Sequence, residues 1–236
     1  MEQAPQRYAV VTGANKGIGI EIVRQLASNG VKVVLTSRDE KRGLHALETL
    51  KDLSHLVLFH HLDVADPASV DSLANFIKSE FGKLHILINN AGIGGLVIKD
   101  NDLVPQVLFK SRCVSNEWAK GILGDAENLT EERVDEVLNE FLKDIKEGCL
   151  ERKGWPKVLG AYIISKAAMN AYTRIVAKKY PTICINSVCP GYVKTDITAN
   201  TGFLTAEEGA ATVVKIALLS NASSGLFYSQ NEVSSF

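Results

Sequence analysis

Thr12-Gly13-Ala14-Asn15-Lys16-Gly17-Ile18-Gly19 is the stretch that decides the fold of this chain. It follows an apolar run over residues 8–12. It precedes a segment in which Ile18, Ile22, Val23 and Leu26 recur on one helical face, with Gly30 as the stop. Strand, glycine turn and helix in that order make a corner suited to phosphate. A glycine removes the Cβ that would block close approach of a pyrophosphate, and the helix N-terminus offers N–H groups and partial positive charge. A tight structural turn would carry a similar glycine trio. The strand–turn–helix setting is what points to dinucleotide binding, with Gly13, Asn15, Lys16, Gly17, Ile18 and Gly19 as candidate contacts.

Outward from this corner, apolar runs alternate with amphipathic stretches, the pattern of a parallel sheet covered on both faces. Residues 31–36 read as a second strand and 56–62 as a third, separated by a helix carrying Leu44, Leu47 and Leu50. Asp66 and Pro67 open the next helix as N-cap and first helical residue, with Val70, Leu73, Phe76 and Ile77 as its buried face. Residues 84–88 form a fourth strand ending in Asn89-Asn90-Ala91-Gly92. Periodicity is weak from 93 to 129, which reads as irregular. Thr130 then opens a helix with Val134, Val137, Leu138, Phe141, Leu142 and Ile145 at helical spacing. A helix over 161–179, a strand over 183–188, a helix over 207–219 behind the capping box Thr205–Glu208 and a short strand over 225–228 complete the chain. The expected fold class is α/β, a doubly wound, mostly parallel, Rossmann-like sheet with helices on both faces. No repeat or linker divides the chain, so residues 1–236 are expected to form one domain.

The end of the second strand selects the dinucleotide. NAD binders usually place Asp or Glu there to hold the ribose hydroxyls. This chain has Thr36-Ser37-Arg38, with Arg42 one helical turn later and Lys16 in the glycine turn. Three cations near one spot suit a 2′-phosphate, which Arg grips with two parallel bonds. NADP(H) is therefore the expected cofactor. The competing reading is that Arg38 and Arg42 pair with Asp39 and other carboxylates, while Asp39 and Glu40 simply favour a helix N-terminus.

The 236 residues are 46% hydrophobic and 22% charged, with net charge −1. That balance shows neither a nucleic-acid footprint nor a polybasic membrane patch, so the expected partner is a small molecule. Residues 1–7 lack the features of a signal peptide, and Lys215 interrupts the most apolar run. Cys113, Cys149, Cys184 and Cys189 form no C-x-x-C pair and have no His at metal spacing. Reduced, buried thiols in a cytoplasmic protein with no metal are expected.

The motifs together resemble those of the short-chain dehydrogenase/reductase family. The Gly13–Gly19 turn, Asp63-Val64, Asn89-Asn90-Ala91-Gly92, Tyr162-x-x-x-Lys166 and Pro190-Gly191-Tyr192-Val193-Lys194-Thr195 stand in that family's order and span most of the chain. The block Asn116-Glu117 to Asp125, then Leu129 to Arg133, resembles the helical insert of the plant salutaridine reductase and menthone/neomenthol reductase group, with animal carbonyl reductases nearby. The resemblance implies an insert over about 116–160 and a monomer. It also implies that Asp63 and Val64 border the adenine, Asn90 and Gly92 the ribose, and Pro190, Gly191, Val193 and Thr195 the nicotinamide and its phosphate. Tyr162 and Lys166, four apart on a helix, share a face. A tyrosine near pKa ~10 is a poor proton shuttle at neutral pH. An adjacent ammonium stabilises the phenolate and lowers that pKa. Tyr162 would protonate a ketone oxygen as NADPH delivers hydride, the expected substrate being a ketone on a terpenoid or alkaloid skeleton, and Lys166 would also hold the nicotinamide ribose. Tyr-x-x-x-Lys also occurs by chance on helices, so the surrounding motifs carry the assignment.

One interval departs from the family pattern. The resemblance calls for a long helix with a structural Asn and a fifth strand ending in a substrate-binding Ser between Gly92 and the insert. Only residues 92–115 fill that interval, and Pro105 lies within it. Aligning through Val114-Ser115-Asn116-Glu117 puts Pro105, Gln106 and Val107 where the serine cluster belongs, and neither Ser111 nor Ser115 is assigned its role. The sheet is expected to lack or replace one central strand and one helix, with residues 104–109 as the short substitute. Two functions follow as alternatives: an NADPH-dependent ketone reductase, or a shortened relative that binds NADP(H) or a partner without turnover.

Overall fold

Ala9, Val11, Val33 and Leu35 alternate with Val10 and Val34 along two neighbouring strands, and all six are buried. Side chains of a strand point to opposite faces with period two. Burial of both sets therefore requires a sheet covered on each side. The computed structural model describes residues 5–94, 114–219, 223–229 and 232–234. The chain divides into two compact units, Met1–Ile93 with Pro190–Leu219, and Gly94–Cys189 with Ser220–Phe236.

The first unit is built on four parallel strands, β1 (Tyr8–Val11), β2 (Lys32–Ser37), β3 (Val57–His61) and β4 (Ile86–Ile88), in the order β3-β2-β1-β4. Val10 sits opposite Val34 on one side and Leu87 on the other. One face packs Ala9, Val11, Val33 and Leu35 against Ile22, Val23 and Leu26 of α1 (Gly17–Ser28). Ala210 and Val214 of α7 (Ala206–Ala217) join the same cluster. The opposite face packs Val10 and Val34 against Leu73 and Ile77 of α3 (Pro67–Phe81). Each of these Val, Leu and Ile side chains stabilises the fold by about 1.5–3 kcal/mol on burial. Helix α2 (Glu40–Glu48) follows β2 and is capped by Asp39. The expected start of α3 is present: Asp66 accepts from the Ala68 N–H at 3.1 Å, and Pro67 opens the helix. The Thr205–Glu208 capping box of α7 is likewise closed by both of its hydrogen bonds, 2.8 and 3.1 Å.

The second unit holds α4 (Glu117–Gly124), α5 (Glu131–Lys146) and α6 (Gly160–Lys179). It also holds a sheet in which β5 (Ser187–Cys189) runs parallel to β6 (Phe227–Ser229), and β6 antiparallel to β7 (Glu232–Ser234). Its core gathers Val137, Phe141, Trp155, Ile164, Ala168 and Ala171, with Phe141 and Trp155 edge to face at 5.1 Å between ring centroids.

Several expectations need correction. The stretch read as irregular contains α4, whose Asn116 cap accepts from the Ala119 N–H at 2.8 Å. Val70 of α3 is exposed, and the buried stripe of that helix runs Ser69, Leu73, Ile77. Leu142 and Ile145 of α5 are exposed as well, and its buried stripe is Val134, Val137, Phe141, Asp144. The strand expected over 183–188 is confined to Ser187–Cys189, and β7 was not foreseen. Cys149 and Cys189 are half-buried and Cys184 is exposed, so these thiols are not core residues. The substitute strand at 104–109 lies outside the described residues, as do Cys113 and Ser111. Among the described residues, no helix is long and apolar enough to cross a membrane, and no group of three His, Cys, Asp or Glu is placed to hold a metal.

Candidate active site

In the first unit the C-terminal ends of β1, β2 and β4 are tied into one corner. Thr12 is the knot. Its N–H donates to the Ile88 carbonyl at 3.0 Å. Its hydroxyl oxygen accepts from the Asn90 and Ala91 N–H groups, each at 2.9 Å. Asn90 returns the contact through its side-chain amide, which donates to the carbonyls of Thr12 (2.9 Å) and Gly13 (3.2 Å). The Ala14 N–H donates to the Thr36 carbonyl at 2.8 Å, binding the turn to β2. Gly13 has φ +60°, and a Cβ there would lie 2.8 Å from the Ala91 Cα. A Cβ on Gly19 would lie 2.6 Å from the Asn90 amide nitrogen. Both positions admit only glycine, so the sequence trio is required by packing at this corner as well as by any ligand. Thr12 and the packing role of Asn90 were not apparent from the sequence. A hydroxyl residue immediately before the glycine turn was the available signal.

The turn opens α1 without a side-chain cap. Lys16 occupies the cap position in extended backbone, and the first helical turn has no acidic residue. By contrast α2, α3, α4, α5 and α7 each have a capping side chain. An uncapped N-terminus beside a glycine turn leaves N–H groups and partial positive charge for an anion.

Asn15, Lys16, Lys41, Arg42, His45 and Asp196 line a cup of about 510 Å³ next to this turn. It brings together two of the three cations expected at a 2′-phosphate, Lys16 and Arg42. Arg38 is not among its lining residues, and its carbonyl meets His61 Nε2 at 3.0 Å. The alternative reading of these charges has support too. Asp39 caps α2 by accepting from the Arg42 N–H at 3.0 Å, and its carboxylate lies 3.4 Å from Arg42 Nε. Lys16 pairs with Asp196 at 2.5 Å. Cations matched only by exposed carboxylates remain able to exchange them for a phosphate.

Asp63 Oδ1 accepts from the Ala65 N–H at 3.0 Å, and Val64 beside it is exposed. Gly92 lies in open coil after β4. The segment 190–195 forms a folded strap within this unit. Lys194 N–H donates to the Leu204 carbonyl at 2.8 Å, Val193 is buried, and Thr195 caps the short turn Asp196–Thr198. Pro190 leads into Gly191, which has φ +88° and would bring a Cβ within 2.6 Å of Leu204.

In the second unit, Tyr162 and Lys166 occupy successive turns of α6, and Lys166 Nζ lies 5.8 Å from the centre of the Tyr162 ring. Tyr162 is 38% exposed, within reach of a small molecule. A hollow of about 610 Å³ in this unit is lined by Trp118, Glu140, Lys143, Asp144, Lys153 and Trp155 among others. Its carboxylates Glu140 and Asp144 both pair with Lys153, at 2.5 and 2.8 Å.

A family model described as short chain dehydrogenase matches residues 7–110. The chain is 47% identical to (+)-neomenthol dehydrogenase of Arabidopsis thaliana, over all of both chains. That alignment extends over 296 positions, against the 236 residues present here. The chain is 35% identical to carbonyl reductase [NADPH] 3 of Mus musculus, over 90% of this chain and 91% of the relative. The solved structure of salutaridine reductase from Papaver somniferum superposes with a TM-score of 0.86 at 40% identity, covering 95% of this chain and 100% of that one.

Proposed function

Because the chain belongs to the short-chain dehydrogenase/reductase family, in the group of plant reductases and carbonyl reductases, we propose that it is an NADPH-dependent ketone reductase acting on a terpenoid or alkaloid skeleton. The observation that carries the reading is the pairing of Tyr162 with Lys166 on one face of α6. The glycine corner, uncapped α1 and cationic cup support NADP(H) as the cofactor. We read residues 1–236 as one cofactor-binding domain with an insert over about 116–160, working as a cytoplasmic monomer. Whole-chain alignment with the relatives supports the single-domain part of that reading.

Bound NADPH would supply the hydride. Tyr162 would donate its hydroxyl proton to the carbonyl oxygen, and the Lys166 ammonium would stabilise the phenolate left behind. Gly13 to Gly19 would take the pyrophosphate at the start of α1. Asp63 and Val64 would border the adenine, Asn90 and Gly92 the ribose, and the strap Pro190–Thr195 the nicotinamide side. Lys16, Arg38 and Arg42 would hold the 2′-phosphate.

The difference between 296 aligned positions and 236 residues favours a second reading, a shortened relative that binds NADP(H) without turnover. Following NADPH absorbance with a panel of cyclic ketones separates the two. Oxidation of NADPH by any ketone, lost in Tyr162→Phe, supports the reductase. Tight NADPH binding with no oxidation by the panel leaves the second reading in its place.

A further inference from the structure

Lys16 and Asp196 stand 180 residues apart in sequence and 2.5 Å apart in space. Asp196 lies in a hydrogen-bonded turn. It opens the turn Asp196–Thr198, where Thr195 is the cap and the Thr198 hydroxyl donates to the Val193 carbonyl at 2.7 Å. Lys16 reaches it from the uncapped start of α1 on a flexible four-carbon stem. The two segments meet closely, since a Cβ on Gly17 would lie 3.4 Å from Thr195 Cγ2. Both charged side chains are more than half exposed, 56% for Lys16 and 66% for Asp196. Lys16 and the nearby Arg42 together hold the Asp196 carboxyl below the usual carboxylate range.

Asp196 is also the single carboxylate among the lining residues of the cationic cup. We propose that Asp196 is a resident counter-ion of Lys16 that a 2′-phosphate displaces, and that it sets how strongly the protein prefers a phosphorylated dinucleotide over an unphosphorylated one. This inference rests on the NADP(H) reading above. Without a 2′-phosphate the Lys16–Asp196 pair stays closed. With one, Lys16 turns to the phosphate, and the Asp196 carboxylate remains beside a like charge. Exposed ion pairs are weak, so the exchange is feasible, and the residual repulsion lowers affinity without abolishing it.

Calorimetry on the full chain with 2′,5′-ADP and 5′-AMP tests this, because the two probes differ only in the 2′-phosphate. Asp196→Asn keeps the side chain's size and removes its charge. It is expected to tighten 2′,5′-ADP by roughly threefold to tenfold and to leave 5′-AMP unchanged. Asp196→Ser, a smaller uncharged side chain, is expected to give the same gain, which guards against a packing defect in either variant. Weaker or unchanged binding of 2′,5′-ADP by both variants overturns the proposal, and so does equal tightening of both nucleotides. A wild-type protein that binds the two nucleotides equally overturns the NADP(H) reading itself. That result is distinct from a wild type that prefers 2′,5′-ADP but does not respond at Asp196.

Discussion

Tyr162→Phe removes one oxygen from α6 and leaves the ring, the helix and Lys166 in place. If Tyr162 is the proton donor, ketone turnover falls by at least about a hundredfold, the lower end of what general acid catalysis contributes. NADPH affinity, followed by calorimetry, is expected to stay within a few-fold of wild type. Turnover that survives the change removes Tyr162 from the mechanism. A second residue-level test lies in a buried pair of the second unit. Trp155 Nε1 donates to Asp144 Oδ2 at 2.7 Å, and both residues are buried. Trp155→Phe keeps the edge-to-face contact with Phe141 but strands a carboxylate oxygen, at a cost of about 1–3 kcal/mol in a denaturant melt. Burial opposes ionisation of Asp144, but the hydrogen bonds from Lys153 and Trp155 outweigh it and hold its pKa below the ordinary carboxylate value. A carboxyl depressed in the folded state contributes stability that is present above its unfolded pKa, ~3.9, and is lost as pH falls through the folded value. Stability is therefore expected to drop on acidification below about pH 4, with a shallower acid limb in Asp144→Asn. Superimposable acid limbs would show that Asp144 titrates alike in the folded and unfolded chain.

Among the elements, the helix starts were the most legible in the sequence. Asp66, Thr130 and Thr205 are each read as caps and each accepts from the backbone of its first turn. A cap is a local device, set by residues within three positions of one another. The start of α7 gives a direct measurement, because this helix packs its Ala210 and Val214 into the sheet core beside α1. Thr205→Ala removes the acceptor for Glu208 N–H and is expected to cost about 1 kcal/mol, or a drop of about 2–4 °C in Tm. An unchanged melt would mean that tertiary packing alone holds the start of the helix. Buried faces were less legible than helix starts. Val70 of α3 and Leu142 and Ile145 of α5 fit the apolar spacing yet are exposed, while Asp144 of α5 is fully buried. Periodicity leaves α4 irregular because eight residues complete only about two turns, too few for a period to emerge, while the family resemblance marks this block as part of a helical insert.

For the whole molecule, the decisive feature is its length relative to the proteins it resembles, 236 residues against 296 aligned positions. The glycine turn, the cup and the strap Pro190–Thr195 all belong to the first unit. Tyr162 and Lys166 belong to the second. The contacts to the dinucleotide phosphates are therefore expected from the first unit, and the proton donor and the lysine of the nicotinamide ribose from the second. A thermal melt of the full chain should rise with added NADPH, by an amount equivalent to about 2.7 kcal/mol at a hundredfold excess over Kd. Ketone turnover is expected to fall well below that of a longer relative assayed side by side. Turnover equal to the relative's would show that residues 92–115 supply the substrate contacts that the family pattern assigns to a longer segment.

The sequence alone determined the strand–turn–helix corner, the parallel alternation around it, the order of the family's motifs and the caps at Asp66, Thr130 and Thr205. These follow from side chains within a few positions of each other, where sterics and hydrogen-bond reach dictate the local conformation. The tertiary structure alone decided that Thr12 and Asn90 lock the corner by packing, that Asp144 is buried by Trp155 and Lys153, and that Lys16 faces Asp196. Those pairings join residues brought together only when strands stack and loops return. Local periodicity carries no record of them, because their energy arises from the closing of the fold.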